Sequence, residues 1–199
     1  MALTKTPVCD FGKKAEDFKL KSIENKIISL NDVKGEKATL IMFICNHCPY
    51  VKAIIRDLAQ DCNELKKDGI NTVAIMSNDT KNYPEDSFDN MIKFAKTNNF
   101  REINYLIDET QEIARKYGAV CTPDFFGYNK ELKLQYRGRF RELKDLKPVS
   151  GGDSDLKIAM KMISETQAGP KEQTPSTVSY THLRAHETSL HLVCRLLLE

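Results

Sequence analysis

The sequence predicts an α/β fold in which helices flank a central mixed β-sheet, with a β-hairpin extension on the N-terminal side. Two observations lead there. Short β-prone runs alternate with segments of helical periodicity from residue 37 to residue 118, and the alternation closes with a hairpin and one more helix. The first inner run, Lys37-Ala38-Thr39-Leu40-Ile41-Met42-Phe43-Ile44, is almost continuously apolar, as expected of a strand covered on both faces.

Ahead of that run, Asp17 to Lys21 and Lys26 to Ser29 are β-prone around Glu24-Asn25, a hairpin signal leading into a one-turn helix near Leu30 to Val33. After it, Val51, Ile54, Ile55, Leu58, Cys62 and Leu65 recur at three- and four-residue intervals and mark one face of a helix from Tyr50 to Lys67. Pro49 suits the first turn of that helix, and Asp68-Gly69 ends it. Ile70 to Met76 is the next strand. Phe88, Met91, Ile92 and Ala95 give Ser87 to Thr97 a helical pattern. Asn104 to Ile107 is a strand, Thr110 to Tyr117 a helix closed by Gly118, and Asp124 to Tyr128 with Lys133 to Arg137 a hairpin turning at Asn129-Lys130. A final helix is expected from about Asp153 to Thr166.

A chain of 199 residues suits one domain with appendages. The expected division is an N-terminal arm over residues 1–16, a domain over 17–169, and a tail over 170–199. After Gly169-Pro170 the character changes, and Thr177 to Glu199 holds three of the four histidines (His182, His186 and His191) and the last cysteine, Cys194. That tract reads either as a histidine-rich metal segment or as a foreign or disordered extension, and the second is expected because nothing before it anticipates it. With 41% hydrophobic and 29% charged residues and a mean hydropathy of -0.45, the composition is that of a soluble globular protein. The net charge of +2 gives no electrostatic case for nucleic acid or for an anionic membrane. No apolar run approaches the roughly 20 residues of a membrane span. The first residues, Met1 to Pro7, have no apolar core of the kind a secretory signal carries, so a cytoplasmic location is expected.

In such a compartment a close cysteine pair points to redox chemistry or metal rather than to a structural disulfide. Cys45-Asn46-His47-Cys48-Pro49 stands where a buried strand runs into a helix. There the unsatisfied amides and the positive end of the helix dipole favour a thiolate, and the thiolate is the nucleophile. His47, as hydrogen-bond donor or local cation, is expected to depress the neighbouring thiol further. The competing readings are a pair that only packs, or half of a zinc site. Against zinc, no second C-x-x-C or H-x-x-x-H lies before the tail.

The segment from about Asp10 to Ser176 resembles the thioredoxin-like members of the alkyl hydroperoxide reductase and thiol-specific antioxidant (AhpC/TSA) family. The N-terminal hairpin, Phe43-Ile44-Cys45-Asn46-His47-Cys48-Pro49-Tyr50-Val51, Tyr105-Leu106-Ile107-Asp108, Tyr117-Gly118-Ala119 and Thr122-Pro123-Asp124-Phe125-Phe126 follow in that family's order. The resemblance implies a thioredoxin-like fold in which Pro123 is a cis-proline and the backbone of Thr122 lies against the cysteine pair, ready to hold a substrate's extended chain.

Peroxiredoxins are similar at Cys48-Pro49, where their peroxide-attacking cysteine precedes a proline. They carry threonine where this chain has Cys45, proline where it has Ile41, and an activating arginine that aligns with Pro123. Dithiol–disulfide exchange is therefore the expected activity, with protein or small-molecule disulfides as substrates, an external thiol as electron donor and no cofactor. A thiol peroxidase that attacks peroxide with Cys48 is the alternative. A copper-binding chaperone is a second, disfavoured because the distal histidine of such proteins has no counterpart before the tail and His47 lies between the two sulfurs. Cys45 is the favoured nucleophile and Cys48 the resolving thiol; the peroxidase route would oxidise Cys48 and use Cys45 or Cys121 to form the disulfide.

Four further groups complete the expectations. Cys121, two residues before Pro123, is a candidate accessory thiol or a small packing residue. Cys62 belongs to the core and Cys9 to a flexible terminus. Arg137 and Arg139, framing Gly138, are expected in a solvated turn, with attraction of an anionic substrate as the alternative.

Overall fold

The computed structural model describes residues 3–180. In chain order its elements are β1 (Leu3–Lys5), β2 (Lys19–Ser22), β3 (Ile27–Ser29), α1 (Leu30–Val33), β4 (Ala38–Phe43), α2 (Pro49–Leu65), β5 (Ile70–Met76), α3 (Phe88–Thr97) and β6 (Ile103–Ile107). There follow α4 (Glu112–Tyr117), β7 (Cys121–Thr122), β8 (Asp124–Asn129), β9 (Leu134–Tyr136), β10 (Leu143–Lys144), β11 (Lys147–Pro148), α5 (Asp155–Thr166) and β12 (Thr177–Tyr180). Each expected strand and helix is present, displaced at its ends by a residue or two.

Seven strands form the main sheet in the order β3-β2-β6-β5-β4-β8-β9. β4 runs parallel to β5 and antiparallel to β8, and β5 runs parallel to β6. The parallel pairs need long crossovers, which α2 and α3 supply. All six residues of β4 are buried because its two faces serve two different cores. Leu40 and Met42 join α2 and α5 on one side, while Ile41 and Phe43 join Val73, Leu106 and α4 on the other. The apolar stripe of α2 faces the first core as its periodicity predicts. The helix tightens into a last turn at Lys66–Asp68 and stops at Gly69, whose φ of +77° is a left-handed cap.

α5 lies on the same side, capped by Ser154, whose Oγ accepts from Lys157 N and donates to Asp61 Oδ2 of α2 at 2.7 Å. Lys157 Nζ, almost buried, adds ion pairs to Glu64 at 2.6 Å and Asp153 at 2.8 Å, so α5 is tied to α2 as well as to the sheet. Gly127 marks where α5 presses on the sheet: a Cβ there would stand 2.7 Å from Met160 Sδ and 2.9 Å from Tyr136 Cβ.

Several expectations are corrected. Arg137 is not in a solvated turn. Its side chain is 9% exposed, and it donates to Asp124 Oδ2 at 2.9 Å and to the Gly118 carbonyl at 2.7 Å, with its guanidinium over the Phe126 ring. Burial pushes the Asp124 carboxyl up to about 6 while Arg137 pulls it down. Arg139 is part-exposed and bonded to Asp155 and Glu142.

The arm is anchored over its described residues, 3–16. Cys9 is buried, Gly12 N and Ala15 N each donate to the β8–β9 hairpin at 2.9 Å, and burial pushes the Cys9 thiol up to about 11. Beyond residue 170 the chain still touches the domain: Gln173 bonds to the backbone of Gln135, and buried Ser176 to that of Gly138. β12 pairs antiparallel with β1 and with β7, in the register Ser179↔Thr122 and Tyr180↔Cys121. His182, His186, His191 and Cys194 lie outside the described residues. Among the described residues no helix is long and apolar enough to cross a membrane.

Candidate active site

β4 delivers the chain to the site and α2 carries it away. Cys48 is the N-cap residue of α2, and Pro49 takes the first helical position, where a missing N–H costs nothing. Cys45 and Cys48 are each 1% exposed. Thr122 meets both sulfurs: its Oγ1 lies 3.3 Å from Cys45 Sγ, and its carbonyl accepts from Cys48 Sγ at 3.3 Å. The Thr122-Pro123 peptide is cis. Antiparallel pairing of β8 with β4, which sets Asp124 opposite Phe43, brings this segment across from the cysteines.

The loop that holds the pair is fastened by Asp86, a residue that the sequence reading left out. Asp86 is fully buried at the end of a short 3-10 turn, Pro84–Asp86, ahead of α3. Its Oδ1 accepts from Asn46 N at 2.7 Å and His47 N at 3.3 Å. Its Oδ2 meets His47 Nδ1 at 2.7 Å and accepts from Asn78 Nδ2 at 2.9 Å. The Asn46 side chain extends the clamp, donating to the Glu85 carbonyl at 3.1 Å and accepting from the Tyr105 hydroxyl at 2.9 Å. Tyr83 stacks on the His47 ring, with centroids 4.9 Å apart and planes at 8°. Nothing in the sequence marks Asp86, because a partner 39 residues from His47 leaves no local spacing to detect.

This geometry corrects the electrostatic expectation. The thiol of Cys45 is pushed well above its ordinary value, first by the hydrogen it shares with Cys48, then by burial and by the negative charge of Asp86; the Thr122 hydroxyl opposes the shift. The His47 ring bonds to Asp86 and stacks on Tyr83. Cys121 is fully buried with its Sγ 3.8 Å from the Pro123 carbonyl, and burial drives its thiol far up. Cys62 is core, its thiol pushed up to about 12.

A cleft of about 430 Å³ opens beside Pro123, with Tyr50, Ile54, Phe140 and Leu143 as apolar lining and Arg141 among its polar residues. Pro123 itself belongs to its wall. Among the described residues one group of mixed metal-capable side chains comes together, Cys45, His47 and Asp86, with donor atoms within 4.8 Å of one another. His47 thus shares a donor cluster with Cys45 but not with Cys48.

Similarity to other proteins agrees with this architecture. An uncharacterized conserved protein from Geobacillus kaustophilus is 36% identical, with a TM-score of 0.88 over 94% of this chain and 98% of that one. A hypothetical protein from Sinorhizobium meliloti is 32% identical, with a TM-score of 0.84 over 92% of this chain and all of that one. The thioredoxin domain of a thiol-disulfide oxidoreductase from Bacteroides vulgatus, at 18% identity, matches with a TM-score of 0.55 over 65% of this chain and 89% of its own, a likeness of fold. No curated protein matches the sequence. The fold is thioredoxin-like, the profile of the AhpC/TSA family matches residues 11–139, and the chain belongs to that family.

Proposed function

We propose that the protein is a thiol-disulfide oxidoreductase that cycles Cys45 and Cys48 between dithiol and disulfide. The observation that carries this reading is the meeting of both sulfurs at Thr122, beside a cleft bordered by Pro123. The two contacts differ in kind. A hydroxyl can donate to a thiolate, so Thr122 Oγ1 supports ionised Cys45. A carbonyl only accepts, so Thr122 O favours Cys48 as the protonated thiol.

Cys45 is accordingly the nucleophile. Its thiolate attacks one sulfur of a substrate disulfide, forms a mixed disulfide and releases the first substrate thiolate. Cys48, on losing its proton, attacks the Cys45 sulfur, forms the intramolecular disulfide and releases the second. Two electrons have then passed to the substrate, and an external thiol donor returns them. Protein or small-molecule disulfides are the proposed substrates, and the cytoplasm the proposed setting.

The peroxidase alternative needs Cys48 as the ionised sulfur, which the Thr122 carbonyl disfavours. The test is insulin disulfide reduction and peroxide consumption by the protein and by Cys45→Ser and Cys48→Ser. Disulfide reduction lost in both variants, with negligible peroxide turnover, is expected. Peroxide-driven oxidation that survives in Cys45→Ser and vanishes in Cys48→Ser would overturn the reading.

A further inference from the structure

Asp86 raises a question that dithiol exchange alone does not answer, since a carboxylate with no solvent exposure is costly unless a cation balances it. Among the contacts to it, Asn46 N, His47 N and Asn78 Nδ2 are neutral donors, and only the His47 ring can carry positive charge. The Cys45 sulfur stands in the same cluster, within 4.8 Å of a His47 ring nitrogen and an Asp86 oxygen.

We propose that the reduced protein binds a divalent ion of the zinc type through Cys45 Sγ, a ring nitrogen of His47 and a carboxylate oxygen of Asp86, and that disulfide formation expels it. Donors that each reach an ion at roughly 2.0–2.3 Å stand at most about 4.6 Å apart, so a small closure of the three groups brings them round one ion. Thiolate and carboxylate together cancel the ion's two charges, so the buried site becomes neutral. Sulfur, nitrogen and oxygen in one set suit zinc better than the hard cations calcium and magnesium, which take oxygen alone.

The surroundings have the form of an outer shell. Two backbone amides and Asn78 fix the carboxylate, and Tyr83 fixes the ring plane. Asn78 Oδ1, on the amide whose nitrogen already holds Asp86, is buried and has no hydrogen-bond partner. Three protein ligands leave a fourth position for water, and an acceptor of this kind is what a metal-bound water requires.

Binding converts the Cys45 thiol to a thiolate and releases its proton. Oxidation withdraws that thiolate into the Cys45–Cys48 bond, two electrons leaving to the disulfide substrate, and the ion loses its sulfur ligand. This exclusion rests on the proposed disulfide chemistry; the binding itself does not. Bound zinc therefore protects the dithiol and silences exchange.

The experiment uses the full-length protein, reduced and freed of reductant, titrated with Co²⁺ while the near-ultraviolet thiolate-to-cobalt charge-transfer band is followed, and then with Zn²⁺ as competitor. One equivalent should bind, be displaced by Zn²⁺, and be absent from the disulfide form of the same chain, a comparison that requires no substitution. Cys45→Ser should lose that equivalent, and Asp86→Asn should weaken it by at least about 10-fold. A band equal in the disulfide form or in Cys45→Ser, or an affinity equal in Asp86→Asn, would overturn the site. Insulin reduction measured on the same samples separates the two readings: a protein that binds Co²⁺ as described but reduces no disulfide sinks the oxidoreductase and leaves the ion.

Discussion

Thr122 reaches Cys45 from 77 residues away and sets its hydroxyl 3.3 Å from the sulfur, a contact that lowers a thiol otherwise raised by Cys48, by burial and by Asp86. Thr122→Val keeps the shape and removes the donor. The Cys45 thiol then rises further, so the rising limb of the pH–rate profile for insulin reduction moves to higher pH. At neutral pH the rate falls by about 10-fold, the scale of one lost hydrogen bond to a charged group. Thr122→Ser should keep the profile in place.

Asp86→Ala strips the acceptor from two amides, Asn46 N and His47 N, in a buried loop. Each stranded donor costs about 1–3 kcal/mol. Thermal unfolding should drop by roughly 5–15 °C for a domain of this size. An unchanged midpoint would mean that the loop holds its shape without the carboxylate.

The remaining thiols differ in reactivity for the same physical reason. With its thiol pushed from 9.0 up to about 11, Cys9 at pH 8 has about 100-fold less thiolate than an ordinary cysteine. Alkylation of the native protein by iodoacetamide, read by peptide mass spectrometry, should therefore spare Cys9, and spare Cys62 more completely, until denaturant is added.

Arg137→Met leaves Asp124 buried without its cation and should cost about 3–5 kcal/mol at pH 7. The sign with pH follows from Asp124. Its carboxyl is already raised from 3.8 to about 6 in the fold and rises further without Arg137, so the folded state holds the proton more tightly than the unfolded chain does. The variant's deficit should shrink as pH falls from 7 towards 4 and grow as it rises through 6. Denaturant titrations at three pH values would check this.

Gly127→Ala tests the seat of α5. The added methyl meets Met160 and Tyr136 at less than 3 Å, and overpacking of this kind costs about 1–3 kcal/mol. A neutral result would show that Met160 yields freely.

Much of the fold was legible because its signals are local. The periodicity of Val51, Ile54, Ile55, Leu58, Cys62 and Leu65 is that of α2, and the unbroken apolar run of β4 follows from its two cores. The candidate cysteines, Thr122 and Pro123 were legible as motif letters. Asp86 and Arg137 were not. One charge looks like another in sequence, and what buries these two is a partner 39 residues away for Asp86 and 13 for Arg137. The direction of the shift at Cys45 was hidden for a related reason: helix-end polarity can be read from position, whereas the hydrogen shared with Cys48 and the burial of the pair belong to the packed molecule. The anchored arm and tail escaped for a similar reason: Thr6 and Ser176 hydrogen-bond each other from opposite ends of the chain.

The two amide hydrogens that Asp86 accepts, on Asn46 and His47, turn the clamp into a clock for the whole motif. Neither can exchange with solvent deuterium until the carboxylate lets go, so their exchange rates report how often the segment ending at Asp86 parts from the cysteine loop. The isotope label would read that parting frequency directly at the two residues that stand between the sulfurs.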